Sequence, residues 1–447
     1  MSHHNKKKIL VLGAGLVSKP LVKYLMEPEN FEVTVASRTV SKADALVEGH
    51  PRGISKQLDI DNAQALEEEV KKCDLAVSLL PAYRHLEVAK LCLKHGKHFF
   101  TTSYVKPEMR ALDSQVREKD LIFMNELGVD PGIDHMSAMK IFDDVRAKGG
   151  KITSFMSYCG GLPAPEANDN PWGYKFSWSP ESVLLAGKNS FKIQRDGKII
   201  EKPSAELFKE NHLLDVPTLG KYTAYPNRDS IQYKDLYNLK DVKTIGRWTL
   251  RNKGWCDVMQ HMHKTSLLDD KEMKGIKGKT YAQFLSMCIG KGSEATIKKD
   301  LAVHLGINEN HELIKWFDWL GLFGKEKIML DGTSAIKVMA DLMMKKMAYK
   351  DGERDMIILH HEFLAEYPKA KEKEKITSTL IDFGIPHGDS SMSRTVGLPC
   401  AIAVKLFLQG KYKTKGVLIP VDRDVYMPIL EELENQNIKF VERVHKT

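Results

Sequence analysis

The chain has 447 residues, more than one ordinary core needs, so two or three domains are expected. Its hydrophobic fraction of 42% and charged fraction of 28% are those of a globular protein. The net charge of +8 is spread along the chain among acids, which argues against nucleic acid as a partner and suits a small acidic substrate and a phosphorylated cofactor.

The opening residues Met1 to Lys8 are polar and basic, without the apolar stretch of a secretory leader. His3 and His4 are assigned no function. No run approaches the roughly 18 apolar residues that span a bilayer, so no membrane partner and a cytoplasmic location are expected. Ile9 to Leu12 is a short apolar run, the pattern of a buried parallel strand. Gly13-Ala14-Gly15 follows, then apolar residues at helical spacing (Leu16, Val17, Leu21, Val22, Leu25). A strand, a Gly-x-Gly turn and a helix in that order make the phosphate-binding turn of a dinucleotide fold. Gly13 permits the tight turn and Gly15 lets the backbone approach a pyrophosphate. Leu16 and Val17 open the helix whose N–H groups and positive dipole end would receive it. The third fingerprint glycine is missing, and Ser18 stands in its place.

Glu32 to Ala36 reads as the second strand. NAD-binding folds carry an acid at its end for the ribose hydroxyls; here stand Ser37, Arg38 and Thr39. A carboxylate would repel a 2′-phosphate, whereas a guanidinium and two hydroxyls would bind it. The expected cofactor is therefore NADP(H), with a surface arginine in a loop as the alternative. Further strands are predicted over Gln57–Asp61, Asp74–Leu80, His98–Thr102 and Leu121–Met124, separated by helical stretches such as Val88–Leu93. Six β/α repeats predict a doubly wound sheet whose strand ends line the ligand crevice. Asp59, Ile60, Leu80, Thr102, Ser103 and Val129 are thereby expected beside the cofactor. The segments Leu80-Pro81, Thr102-Ser103-Tyr104 and Glu126 to Asp130 are expected to line the crevice, with Asp130 at its mouth. His135, at the start of the next helix, is open between packing or capping and a functional role.

After a strand-like run, Ile152–Tyr158, the segment YCGGLPAPEANDNPWGYKFSWSP (Tyr158 to Pro180) has the glycines, prolines and aromatics of a long structured loop. From Lys253 to Met347 the pattern is helical, and the Met-rich stretch Asp341–Tyr349 reads as core filler. Met356–His361 and Thr377–Phe383 read as strands, Thr395–Leu408 as a helix and Val417–Ile419 as a last strand. The charged run Lys369–Lys375 reads as a solvated loop or helix face. His360 and His361 are adjacent and would face opposite sides of a strand. The six cysteines (Cys73, Cys92, Cys159, Cys256, Cys288, Cys400) include no CxxC spacing, so no metal site and no disulfide framework is expected.

The segments GAGLVSKP, SLLPAYRH, TTSYVKPEM, ELGVDPGIDHM, SYCGGLPAPE, NPWGYKFSWSP, YPNRDS, TLRNKGW and TVGLPCAIA run from residue 13 to about residue 403. In them the chain resembles the saccharopine dehydrogenase family: the glutamate-forming saccharopine reductases and the saccharopine dehydrogenase half of the bifunctional lysine-degrading enzymes. The resemblance implies an NADP-dependent oxidoreductase acting on a CH–NH group. Glutamate and 2-aminoadipate 6-semialdehyde would condense and be reduced by NADPH to saccharopine, reversibly. It implies Ser103, Tyr104, Asp130, Trp178, Arg228, Thr249, Leu250 and Arg251 as substrate contacts. Arg228 would pair a substrate carboxylate; at Arg251 the backbone N–H groups of Thr249 and Leu250 could do the work instead. Asp130, Cys159 and Tyr104 are its candidates for moving the proton, with no single one indispensable.

The resemblance also implies the fold class. This is an α/β chain with an N-terminal Rossmann domain (1–133, completed by about 395–447), a mixed α/β substrate and dimerisation domain (134–252 and 348–394), and a small all-helical domain (253–347). A homodimer is expected. Three other readings stand beside the first: saccharopine oxidation in lysine degradation, a dehydrogenase of another carboxylated amine, and a non-catalytic NADPH sensor. The lysine-degrading members carry an acid where this chain has Ser37-Arg38. A polyamine-type substrate would call for acids in place of the arginines.

Overall fold

The computed structural model describes residues 6–446, so His3 and His4 lie outside the described residues. The chain divides into two compact units: Met1–Lys151, Ala365–Lys373 and Ser378–Thr447 form one, and Ile152–Leu364 with Glu374–Thr377 the other.

In the first unit β1 (Lys7–Leu12), β2 (Phe31–Ser37), β3 (Gly53–Gln57), β4 (Leu75–Ser78), β5 (His98–Thr101) and β6 (Ile122–Met124) alternate with helices. The strand order, edge to edge, is Gly416–Leu418, β6, β5, β4, β1, β2, β3. Every pairing is parallel, so the order reverses at the β1/β4 junction, where doubly wound sheets bind ligands. Ile9, Leu10, Val11 and Leu12 are all buried, which is why β1 reads as an unbroken apolar run. The chain's tail supplies the seventh strand, as the run at Val417–Ile419 suggested. The third strand ends at Gln57 rather than Asp61, leaving Asp59 and Ile60 in the following loop.

Two expectations need correcting here. Helix Ser391–Leu408 has the length and apolar composition of a membrane span, with a mean hydropathy of 1.2. Its apolarity instead serves burial: it packs on helix Ser18–Met26, and a Cβ at Gly397 would come within 2.9 Å of the Val17 carbonyl oxygen. The expected boundary at residue 133 also moves, because helix Ile133–Ala147 stays with the first unit. The Ile133 and Asp134 N–H groups donate to the Gly128 and Val129 carbonyls at 2.8 and 3.0 Å. Tyr426, on helix Arg423–Asn435, donates to Asp143.

In the second unit strands His212–Val216, Gly220–Pro226, Thr244–Arg251, Lys151–Pro163 and Asp355–Tyr367 lie side by side in that order. The hairpin Phe191–Arg195/Lys198–Lys202 joins at Ile245. Five helices from Trp255 to Lys346 belong to the same unit. They do not cluster apart because Trp172, in the loop beyond Pro163, packs on Trp255 and Phe317 and donates to the Trp316 carbonyl. On Asp355–Tyr367, His361 stands beside Phe155 and Phe363, and His360 beside Tyr158. No group of three metal-type side chains occurs among the described residues. The run Lys369–Lys375 forms a turn and the exposed start of strand Glu372–Phe383, where Lys373 pairs with Glu366 and Lys375 with Glu362.

Candidate active site

The first unit builds its site from loops at the C-terminal ends of its strands. Gly13 has φ +113° and a Cβ there would meet the Leu79 carbonyl at 3.0 Å, so the turn leaving β1 demands glycine. At Gly15 a Cβ would meet nothing within 4 Å. That glycine therefore answers to no neighbour in the protein and leaves a cradle open to a pyrophosphate. Ser18 explains the missing third glycine: fully buried, it donates to the Gly13 carbonyl at 3.1 Å and accepts from the Gly15 N–H at 3.0 Å. The helix begins at Ser18; Leu16, 57% exposed, and Val17 lie in the turn before it rather than in its first turn.

At the end of β2, Arg38 and Thr39 are exposed. The Ser37 hydroxyl accepts from the Thr39 N–H at 3.3 Å, and the Arg38 carbonyl accepts from Gln57. No ion pair engages the Arg38 guanidinium among the described residues. The Asp59–Asp61 loop is held from β4's side, where Arg84 donates to the Ile60 carbonyl at 2.7 Å and pairs with Asp61 at 3.0 Å. Leu80 lies two residues past the end of β4, half-buried. These features fit a dinucleotide with a phosphorylated adenosine ribose: open space at the glycine cradle, and a free guanidinium where NAD-binding folds place an acid.

Thr102, Ser103 and Tyr104 leave β5 and are half-buried. A buried chain of polar groups reaches Ser103. The Ser78 hydroxyl lies 2.8 Å from His85 Nδ1, and His85 Nε2 lies 2.8 Å from the Ser103 hydroxyl. Burial, with the positive charge of Lys106, pushes His85 down to about 4, so the imidazole is neutral and bridges the two hydroxyls. Tyr104 donates to Asp130 Oδ1 at 2.8 Å, so two of the three proton-moving candidates form one hydrogen-bonded pair. Val129 is buried beside it. His135, fully buried, lies 2.7 Å from Glu126 Oε2, which decides for packing over substrate contact.

The second unit holds its candidates on a strand ladder. Cys159 lies within strand Lys151–Pro163, not in the following loop as the two glycines suggested. The reason is close packing: a Cβ at Gly160 would lie 2.8 Å from Leu250 Cβ. Cys159 is in register with Thr249, and Thr249 with Tyr225, so three adjacent strands present these side chains on one face. Leu250 is fully buried and its carbonyl accepts from Arg251 at 2.8 Å. Arg251 is itself 5% exposed, its guanidinium 4.8 Å from the Tyr174 ring and 5.4 Å from that of Trp255. That stacking gives it a packing role that the sequence did not suggest. Arg228 is exposed on the loop after Pro226, with φ +54°. Trp178 is half-buried, just before helix Pro180–Ala186, which Ser179 caps.

Sequence reasoning missed Lys175. It is 2% exposed and pairs with Asp169 at 2.8 Å and Glu353 at 2.7 Å, pinning the aromatic loop. A lysine inside the aromatic stretch WGYKFSW was the available signal.

Two family models match in succession: the saccharopine dehydrogenase NADP binding domain over residues 9–124 and the saccharopine dehydrogenase C-terminal domain over residues 128–438. An NADP(+), L-glutamate-forming saccharopine dehydrogenase of Schizosaccharomyces pombe is 37% identical over 98% of both chains. That of Saccharomyces cerevisiae is 37% identical over 96% of this chain and 97% of the other. An Arabidopsis thaliana alpha-aminoadipic semialdehyde synthase is 34% identical over 98% of this chain, which spans 45% of that protein. The crystal structure of apo saccharopine dehydrogenase (L-Glu forming) from Saccharomyces cerevisiae is similar with a TM-score of 0.86, at 36% identity, over 98% of this chain and all of the other. With both models in sequence and near-complete coverage by such relatives, the chain belongs to the saccharopine dehydrogenase family.

Proposed function

We propose that this chain is an NADP-dependent oxidoreductase that joins L-glutamate to L-2-aminoadipate 6-semialdehyde, giving saccharopine, and that the reaction runs in both directions. The single observation that carries the reading is full-length similarity to NADP(+), L-glutamate-forming enzymes, in a chain whose β2 ends on Ser37-Arg38 and no acid. The glutamate amine attacks the aldehyde carbon, water leaves the carbinolamine, and hydride addition to the resulting imine carbon makes the secondary amine. Gly13, Gly15, Ser37 and Arg38 would hold NADPH, which would supply that hydride when bound.

The chain's own residues bind, orient and handle protons. The Tyr104 phenol donates to the Asp130 carboxylate, so a proton that the phenol delivers to the substrate leaves an anion beside a group able to pass it a replacement, and a proton taken from the substrate by the carboxylate stays within the same hydrogen-bonded pair. Cys159 offers a thiol on the second unit. The substrate amine carries part of the proton traffic, so Asp130→Ala and Cys159→Ser should each slow turnover without abolishing it. Arg228, exposed and charged, suits a substrate carboxylate; Trp178 and Thr249 suit the walls of the same ligand. A homodimer and a cytoplasmic location belong to this reading on the family likeness alone, and light scattering with cell fractionation checks them.

The test is to incubate the protein with NADPH, the semialdehyde and glutamate labelled with nitrogen-15, and to analyse the product by mass spectrometry. Saccharopine carrying the label supports the proposal. NADPH oxidation with no labelled adduct points to another carboxylated amine, and tight NADPH binding with no oxidation points to the sensor.

A further inference from the structure

The turn carrying Tyr104 is gripped by one residue outside the assigned site. The Glu126 N–H donates to the Ser103 carbonyl at 3.0 Å, and Glu126 Oε1 accepts from the Val105 N–H at 3.0 Å. Both flanks of Tyr104 are thus tied to Glu126, one through its backbone and one through its carboxylate. The other carboxylate oxygen, Oε2, lies 2.7 Å from His135 Nε2, and His135 Nδ1 lies 3.7 Å from Asp134. Asp134 in turn accepts from the Gly132 N–H at 2.6 Å, two residues past Asp130. Glu126 is 2% exposed, so its charge is carried by these partners and not by water.

The backbone sharpens the point. Glu126 has φ +60°, a left-handed conformation that glycine adopts freely and a side chain resists. A turn that needed only this φ would be served better by glycine. A buried glutamate held there at a conformational cost means that its side chain is needed. We propose that Glu126 is a positioning residue for the Tyr104–Asp130 pair, holding the phenol in reach of the carboxylate by clamping both flanks of Tyr104. The proposal rests on the reading of Tyr104 and Asp130 as proton-handling groups.

Four substitutions test it: Glu126→Gly, Glu126→Gln, Glu126→Asp and Tyr104→Phe, with Glu126→Gly also made in the Tyr104→Phe background. NADPH binding, followed by its fluorescence, reports that each variant is folded. Glycine suits the backbone but removes the clamp, so kcat should fall about tenfold or more with KM for NADPH little changed, within the range that general acid–base groups contribute. Glutamine keeps the length and the acceptor for Val105 and should retain a third or more of kcat, whereas aspartate keeps the charge but is one methylene short and should lose most of it. In the Tyr104→Phe background Glu126→Gly should add less than about a twofold further loss, since residues acting through one another are non-additive. Wild-type kcat in Glu126→Gly, aspartate outperforming glutamine, or penalties that multiply in the double variant would each overturn the proposal. If Glu126→Gly fails to fold, the glutamine–aspartate order still decides. An unchanged kcat in Tyr104→Phe alone would instead remove the site reading, and the positioning role with it.

Discussion

In the first unit Gly13, Arg38, Thr102 and Asp130 lie beyond the last residue of a parallel strand and Ser37 is the last residue of one, all at least partly open. In the second unit Cys159, Thr249, Leu250 and Arg251 lie within paired strands, and all but Thr249 are buried. A loop at a strand end can change its side chain without disturbing the ladder beneath, so substitutions there should fall on ligand affinity. A residue inside the ladder is held by neighbours on both sides, so substitutions there should fall first on stability.

The largest expected effect lies in the second unit. Trp172 is fully buried and bonded to the Trp316 carbonyl, so Trp172→Ala should cost about 3–5 kcal/mol in urea unfolding. NADPH binding, measured by fluorescence below the transition, should survive. Simultaneous loss of both would break the distinction between the units. Arg38→Ala is the converse case. It should weaken NADPH by about 1.5–3 kcal/mol, the worth of hydrogen bonds to a charged group, leave NADH unaffected in parallel initial rates, and leave the unfolding midpoint in place.

Lys175→Met sharpens the comparison through pH. Hydrogen bonds from Lys175 and then Lys350 hold Asp169 below its ordinary 3.8, at about 2. A depressed carboxylate contributes stability that is present above its unfolded pKa and is lost as the pH falls through the folded one. The variant should therefore be less stable at neutral pH, with the gap to the parent closing between about pH 4 and pH 2. Asp169 is 41% exposed, so screening keeps the gap to about 1 kcal/mol. Chemical denaturation across that range measures it, and a gap that widens in acid contradicts the assignment. The smallest effect belongs to Ser18→Ala, about 0.5–1 kcal/mol for two neutral hydrogen bonds in a buried turn, again read by urea unfolding.

The same contrast explains what could be read in advance. The dinucleotide half is written locally: a strand, two glycines and a helix are contiguous, and Arg38 follows at the spacing the fold requires. Even there Ser18 looked like a defect, because a hydroxyl that stitches Gly13 to Gly15 has no compositional mark. The second unit is assembled from strands far apart in sequence, so Thr249 beside Cys159 was legible only through likeness to a family. Gly160 and Gly161 read as part of a loop because glycine usually signals one, whereas Gly160 serves the close approach of Leu250 on the paired strand. Nothing in the sequence signalled that Tyr174 and Trp255 would stack on Arg251. Glu126 was placed in the segment lining the crevice, but its clamp on Tyr104 went unread, because a glutamate at positive φ looks like any other glutamate in a sequence.

The central claim is that a family site is joined to a cofactor loop selecting the 2′-phosphate. It is tested most directly by initial rates with glutamate and aminoadipate semialdehyde at neutral pH, NADPH and NADH side by side. Rapid oxidation of NADPH with little of NADH is the predicted result. A preference for NADH would contradict the role given to Ser37 and Arg38, and oxidation of neither would contradict the reaction.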